Sequence, residues 1–319
     1  MFYSSEAVLS DNQAAIHEFY NNTLIKGYLN TPAGQLFYAY AKPKQANTAI
    51  VISSGRIEAL DKYQELLWEL YNNNFAVFIV DHQGQGRSYR LLANKHKGYV
   101  KDFSDYRRDL QLFNQQIVDS HWQGKKILLG HSMGGAIAFD YLAHYDNNFS
   151  GVFLSAPMFD IHTKNTPKPL AKLIANLATL LGFSKSYALG QRDYMPDDFA
   201  INCLTSSQTR YTSSRQIYQQ QPLLQLGGVT YGWLHAAFRF ITSLNSLAIA
   251  TPVFIASAEL DEVVDNRAHH LLANKQKNVT VKTFNGAKHE LLFERDEIRQ
   301  PLLADFYAFC ESVGESSDQ

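Results

Sequence analysis

The sequence predicts an α/β fold: a mostly parallel central sheet with helices on both faces and a largely helical insertion. Three observations predict it. Short β-branched apolar runs alternate with helical patterns along most of the chain, one strand-to-helix junction is tightened by glycines, and the rhythm stops over a single long internal segment. Residues 35–41 alternate in polarity and read as an antiparallel edge strand. Residues 48–53 (Thr-Ala-Ile-Val-Ile-Ser) are apolar without alternation, as a strand covered on both faces must be. A helical pattern over 61–71 leads to a second such strand at 76–81. A longer helix at 103–120 leads to strand 126–129, and helix 134–144 leads to strand 151–155. Beyond the break come strand 252–257, helix 265–274, strand 279–284 and a closing helix at 296–313.

The break spans 159–250, which holds helical stretches, prolines and Gln/Ser/Tyr-rich loops but no convincing strand. The chain therefore divides into a first core part (1–158), a cap or lid insertion (159–250) and a second core part (251–319). The flanking strands must pair in one sheet, so the cap is a lobe over the carboxyl ends of the strands, where open α/β sheets bind ligands.

Bulk composition narrows the function. Net charge is -1 in 319 residues, so nothing draws the chain electrostatically to nucleic acid. Cys203 and Cys310 are the only cysteines, too few for a disulfide framework, and the histidines show no metal-ligand spacing. The amino-terminal ten residues lack a basic and an apolar region in sequence, and no apolar run reaches membrane-spanning length. The expectation is a cytoplasmic protein, with peripheral residence on the cytoplasmic face of the inner membrane left open, and with no metal and no cofactor.

The candidate chemistry begins at Gly130-His131-Ser132-Met133-Gly134. The pattern is short enough to arise by chance, so its flanks carry the argument: an apolar strand before it and a small-residue helix after it. Strand, tight turn and helix are the context in which G-x-S-x-G holds a serine at a sharp elbow, and the glycines leave room for that turn. A serine hydroxyl needs a base, and the base needs a carboxylate to orient it. In this arrangement the chain order is Ser, then Asp or Glu, then His. His235, His269, His270 and His289 lie far enough beyond Ser132. His289 is preferred because it follows the last strand in a polar glycine-containing loop, whereas His269 and His270 fall within a helical pattern. Among the carboxylates after strand 252–257, Asp261 is preferred by position and Glu259 is second. Asp265 reads as a helix cap and Glu262 as solvated. Oxyanion donors are expected from the backbone N–H of Met133 and, on the loop Ser53-Ser54-Gly55-Arg56, from that of Arg56.

Ser54-Gly55-Arg56-Ile57-Glu58, Asp81-His-Gln-Gly84-Gln-Gly86-Arg-Ser88, the Ser132 pentapeptide and Asn285-Gly-Ala-Lys-His289-Glu together resemble the lysophospholipase/monoacylglycerol-lipase group of α/β-hydrolases. Gly227-Gly-Val-Thr-Tyr-Gly-Trp233 and Glu262-Val-Val-Asp-Asn266 point within it to the bacterial lysophospholipases. The resemblance runs from about Ala15 to Val313. It implies the α/β-hydrolase fold and a serine carboxylesterase that releases a fatty acid from lysophospholipids, with Ser132, Asp261 and His289 at the triad positions. The alternatives are a monoacylglycerol lipase or general carboxylesterase, acyl transfer to a second lipid, and a non-catalytic lipid-binding protein of the same fold. Many relatives carry His-Gly where this chain has Ser54-Gly55, which raises the question of what anchors that loop.

In the insertion, Tyr231, Trp233 and His235 are candidates to line an acyl or headgroup pocket, with cap packing as the competing role. Residues 168–181 form a very apolar helix, with Lys164, Lys168, Lys172 and Lys185 nearby. Such a stripe fits a lid dipping into a lipid interface or a helix packed on the core, and packing is the favoured reading. Gly84-Gln85-Gly86 lacks the third glycine and the following acid of a dinucleotide fingerprint and reads as a structural turn.

Overall fold

The computed structural model describes residues 1–7, 9–163 and 166–313. Lys164, placed by its sequence near the cap helix, lies outside them. The strands are β1 (Ile25–Thr31), β2 (Gly34–Ala41), β3 (Thr48–Ser53), β4 (Phe75–Val80), β5 (Lys125–His131), β6 (Phe149–Ser155), β7 (Val253–Ala258) and β8 (Val279–Phe284). They form one sheet in the order β1-β2-β4-β3-β5-β6-β7-β8. From β4 through β8 every neighbouring pair is parallel, and β2 is antiparallel to both β1 and β4.

Every residue of β3 and β4 is buried. This explains why their sequences do not alternate: helices cover both faces. The antiparallel strand expected at the edge is β2, and it lies one place in. The outer strand is β1, which the sequence does not announce. Leu29 is its one buried residue, so β1 carries almost no apolar signal.

The helices are α1 (Leu9–Glu18), α2 (Gln64–Asn72), α3 (Ser104–Phe113), α4 (Asp119–His121), α5 (Ser132–His144), α6 (Lys168–Leu180), α7 (Gln208–Gln220), α8 (Tyr231–Leu244), α9 (Arg267–Lys275) and α10 (Asp296–Ser312). A π-helical turn, Asn114–Val118, joins α3 to α4, so the single long helix expected there is continuous but locally widened and underwound. The segment between β6 and β7 supplies α6, α7 and α8. It adds no strand to the sheet among the described residues, only isolated bridges such as Tyr187 to Thr230.

This segment is fastened to the core. Trp233, Ala237 and Phe240 of α8 join the main apolar cluster. Arg210 of α7 bonds Glu65 at 2.9 Å and Asp296 at 2.9 Å. Helix α6 is different. It leans on α8 through Lys172 over the Phe238 ring and His235 against Asn176, and Ala175 is its one buried residue. Leu173 and Leu177 are about half exposed at 52% and 48%, and Leu180 and Leu181 more so at 81% and 71%. The expectation that this stripe packs on the core is therefore overturned. The small Ala175 permits close approach to α8, and the leucines are left on the far face.

Because β3 to β8 run parallel, their carboxyl ends share one edge of the sheet. The loops after β3, β5, β7 and β8 carry Gly55, Ser132, Asp261 and His289, residues far apart in sequence.

Candidate active site

The turn from β5 into α5 is as tight as its glycines imply. A Cβ on Gly130 would stand 2.6 Å from the Cα of Gly135, and one on Gly134 would overlap the carbonyl oxygens of Ser53 and Ser54. Ser132 sits between them at φ +51°, a left-handed conformation that a non-glycine residue adopts at a cost. Its carbonyl accepts from Met158 N–H at 2.9 Å, which pins the turn to the loop after β6.

The hydroxyl of Ser132 lies 2.8 Å from Nε2 of His289, and Nδ1 of His289 lies 2.7 Å from Oδ2 of Asp261. The second oxygen of Asp261 accepts the backbone N–H groups of Val263 at 2.8 Å and Val264 at 3.0 Å. Burial works to raise the Asp261 pKa, but the hydrogen bond and charge of His289 and these two donors outweigh it and hold the carboxyl below its ordinary range. An ionised Asp261 requires a proton on Nδ1 of His289, leaving Nε2 free to accept from Ser132.

The competing residues are engaged elsewhere. Glu259 accepts from Gly286 N–H at 2.7 Å, Glu262 is exposed, and Asp265 pairs with Lys168 and Arg267. His269 is buried between Ser257 and the Pro157 carbonyl. Replacement of Asp261 by Asn is expected to lower kcat about 10,000-fold with little change in KM, by favouring the wrong tautomer of His289. Steady-state kinetics on any ester substrate check this.

The two expected oxyanion donors lie after β5 and β3, neighbouring strands of the sheet. Met133 N–H opens α5, in the first turn, where helix donors have no intrahelical acceptor. Arg56 N–H has no protein acceptor among the described residues. The loop that carries Arg56 is held without the His-Gly of its relatives. Gly55 N–H donates to Glu58 at 2.5 Å. The Gln85 amide donates to the carbonyls of Gly55 at 2.7 Å and Glu58 at 2.8 Å, and its oxygen accepts from Ile57 N–H at 3.2 Å. Ile57, a β-branched residue at φ +67°, is also held through its carbonyl by the Tyr218 hydroxyl at 2.8 Å. Backbone strain of this kind persists only where several contacts fix it.

Beneath the loop lies a buried charge network that the sequence reading did not assemble. Glu58 bonds Tyr63 OH at 2.6 Å, Lys62 at 2.8 Å and His131 Nδ1 at 3.0 Å, and Lys62 reaches Glu290 at 2.6 Å. His131 Nε2 faces the carbonyl of His289 at 3.3 Å. The network thus ties the Gly55 loop to the loop of the candidate base. Burial disfavours charge on Glu58, Lys62 and His131, yet their partners outweigh it. Glu58 is held well below the ordinary glutamate range by His131 and Lys62, and His131 is held above the ordinary histidine value by Glu58.

The three insertion residues divide. Trp233 is buried, edge-on to Phe103 at 5.6 Å and 5.3 Å from the Arg56 guanidinium. Tyr231 opens α8 with its N–H on the Ser186 carbonyl. His235 is turned to Asn176 of α6 at 2.6 Å, a contact between cap helices. Among the described residues no group of three or more His, Cys, Asp or Glu is arranged to hold a metal ion.

This sheet topology, with a serine on the elbow after β5, is that of a serine hydrolase with the α/β-hydrolase fold. Residues 44–296 match the family described as Serine aminopeptidase, S33. Lysophospholipase L2 of Escherichia coli (strain K12) is 38% identical over 271 residues, covering 81% of this chain and 79% of the relative. Monoglyceride lipase of Homo sapiens is 29% identical, with 85% and 84% covered. A soluble variant of the Saccharomyces cerevisiae monoglyceride lipase, solved with a substrate analogue, superposes with a TM-score of 0.74 at 18% identity over 92% of this chain and 96% of that one. The chain belongs to this α/β-hydrolase family, in its lysophospholipase and monoglyceride lipase group, and is an ester hydrolase.

Proposed function

We propose that this enzyme is a lysophospholipase working through Ser132, His289 and Asp261. The observation that carries the reading is the unbroken chain of short hydrogen bonds from Ser132 through His289 to Asp261, beside a loop whose Arg56 N–H is unused. Ser132 Oγ attacks the ester carbonyl while His289 Nε2 takes its proton. Asp261 stabilises the imidazolium, and the N–H groups of Met133 and Arg56 receive the oxyanion. The imidazolium protonates the departing glycerophosphodiester. Water, activated by the same histidine, then releases the fatty acid from Ser132.

Residues 159–250 act as the cap in this reading, between core parts 1–158 and 251–319. The exposed leucines of α6 face outward with Lys172 on the same helix, a composition suited to shallow contact with a lipid surface. Among the described residues no helix is long and apolar enough to cross a membrane, so such contact is peripheral. A cytoplasmic location, with that contact on the cytoplasmic face of the inner membrane, fits the reading.

The test is fatty-acid release from lysophosphatidylcholine, lysophosphatidylethanolamine and a monoacylglycerol of matched chain length. Higher kcat/KM on the two lysophospholipids is expected. A higher value on the monoacylglycerol would move the enzyme to the lipase branch of its family, and absence of turnover on all three would leave the lipid-binding alternative.

A further inference from the structure

Arg56, which is only part-buried, stands apart from the chain's buried cations. Arg299 lies on Glu69 at 2.7 Å, Arg210 between Glu65 and Asp296, and Lys62 between Glu58 and Glu290. Arg56 has no carboxylate partner among the described residues. Its Nη2 donates to the carbonyl of Gly227 at 2.6 Å, its Nε is buried with no acceptor, and Nη1 has no hydrogen-bond partner among the described residues. The neighbouring polar groups are the phenols of Tyr106 and Tyr187, and the Trp233 ring lies 5.3 Å away. Burial drags the guanidinium pKa down to about 10, which still leaves it charged at neutral pH. A part-buried cation with a buried, unused Nε donor and no counter-ion among the described residues is costly to fold around, and the cost is explained if an anion arrives with the substrate.

The position of Arg56 says which anion. Its backbone N–H is the one assigned above to the oxyanion, so the scissile carbonyl lies against its main chain. An arginine guanidinium carbon lies six bonds from its own backbone nitrogen, the same number that separates a lysophospholipid ester carbonyl carbon from the phosphorus across glycerol. A guanidinium with a free nitrogen pair matches phosphate oxygens in charge and planar geometry. We propose that the Arg56 guanidinium receives the phosphodiester of the lysophospholipid headgroup, so that one residue grips both ends of the glycerol unit. This rests on the lysophospholipase reading. A monoacylglycerol, with a hydroxyl in place of the phosphate, would leave the cation unmatched.

The experiment compares kcat/KM for lysophosphatidylcholine and for the monoacylglycerol of the same chain in wild type, Arg56→Lys and Arg56→Gln. General damage to the loop lowers both values and divides out of their ratio. The ratio is expected to fall roughly 10- to 100-fold in Arg56→Gln, chiefly through KM for the lysophospholipid, and to be partly retained in Arg56→Lys. An unchanged ratio in a folded Arg56→Gln overturns the proposal. Wild-type enzyme supplies a second readout that needs no variant: glycerophosphocholine should compete with substrate and glycerol should not. Equal inhibition by the two overturns the phosphate receptor. Inhibition by inorganic phosphate as strong as by glycerophosphocholine assigns the guanidinium to free phosphate and overturns the headgroup assignment. Wild-type preference for monoacylglycerol, with competition by glycerophosphocholine intact, would instead sink the substrate reading and leave the receptor standing.

Discussion

Ser132→Ala is expected to reduce kcat by about 10,000- to 1,000,000-fold while leaving the fold intact. The hydroxyl has one side-chain partner, Nε2 of His289, so its removal deletes the nucleophile and leaves no buried charge unpaired. The backbone contact that fixes the elbow, Met158 N–H to the Ser132 carbonyl, is untouched. Alanine has the same Cβ in the same left-handed conformation, so the thermal midpoint should move by no more than a degree or two. Active-site titration with a fluorophosphonate gives an independent reading: wild type labels stoichiometrically and the variant does not. Turnover within tenfold of wild type in a homogeneous Ser132→Ala sample would remove Ser132 from the mechanism.

Glu58→Ala should be strongly destabilising, costing about 3–5 kcal/mol at neutral pH, the scale for breaking a buried ion pair from one side. It strips the acceptor from Gly55 N–H and Tyr63 OH and leaves His131 without its carboxylate, inside a core where the Glu58 side chain is only 3% exposed. Activity should fall with stability, because the network spans the loop of the proposed oxyanion donor Arg56 and, through His131, the carbonyl of His289.

The pH dependence follows from the directions of the shifts. The His131 pKa is raised in the folded protein, so its contribution is complete below the unfolded histidine value of about 6.5 and is lost as pH climbs through the folded value. The Glu58 pKa is depressed. Its contribution is complete above the unfolded glutamate value and is lost as pH falls through the folded one. Wild-type thermal midpoints should therefore decline on the alkaline side in step with His131 deprotonation. That component should be missing from Glu58→Ala and reduced in Glu58→Gln, which keeps an acceptor for Gly55 but not the charge. A Glu58→Ala protein as stable as wild type across this range would show that the network contributes nothing.

Much of the architecture was legible because its causes are local. A strand covered on both faces must be apolar throughout, and β3, β4 and β6 announce themselves in that way. The elbow was legible because Gly130 and Gly134 have no room for a side chain, and steric demand of that kind selects glycine at fixed spacing. His289 and Asp261 could be proposed from their places after β8 and β7, since parallel strands deliver their following loops to one edge.

What escaped the sequence reading has non-local causes. Strand β1 buries a single residue, so pairing with β2 makes it a strand and no apolar pattern reveals it. Gln85, read as part of a structural turn, owes its role to four contacts with residues 54 to 58. The stripe on α6 was apolar either way, and only its packing through Ala175 decided that the leucines face outward.

By itself, then, the sequence determined the parallel sheet and the serine elbow, and it proposed an order of acid and base, because hydrophobic periodicity and turn sterics act over a few neighbouring residues. Tertiary structure alone decided which charges meet. Glu58 finds His131 across 73 positions of sequence, while Arg56 finds no carboxylate among the described residues. Electrostatic partnership in a low-dielectric interior depends on distance in space and on burial, and neither is written in the spacing of residues along the chain.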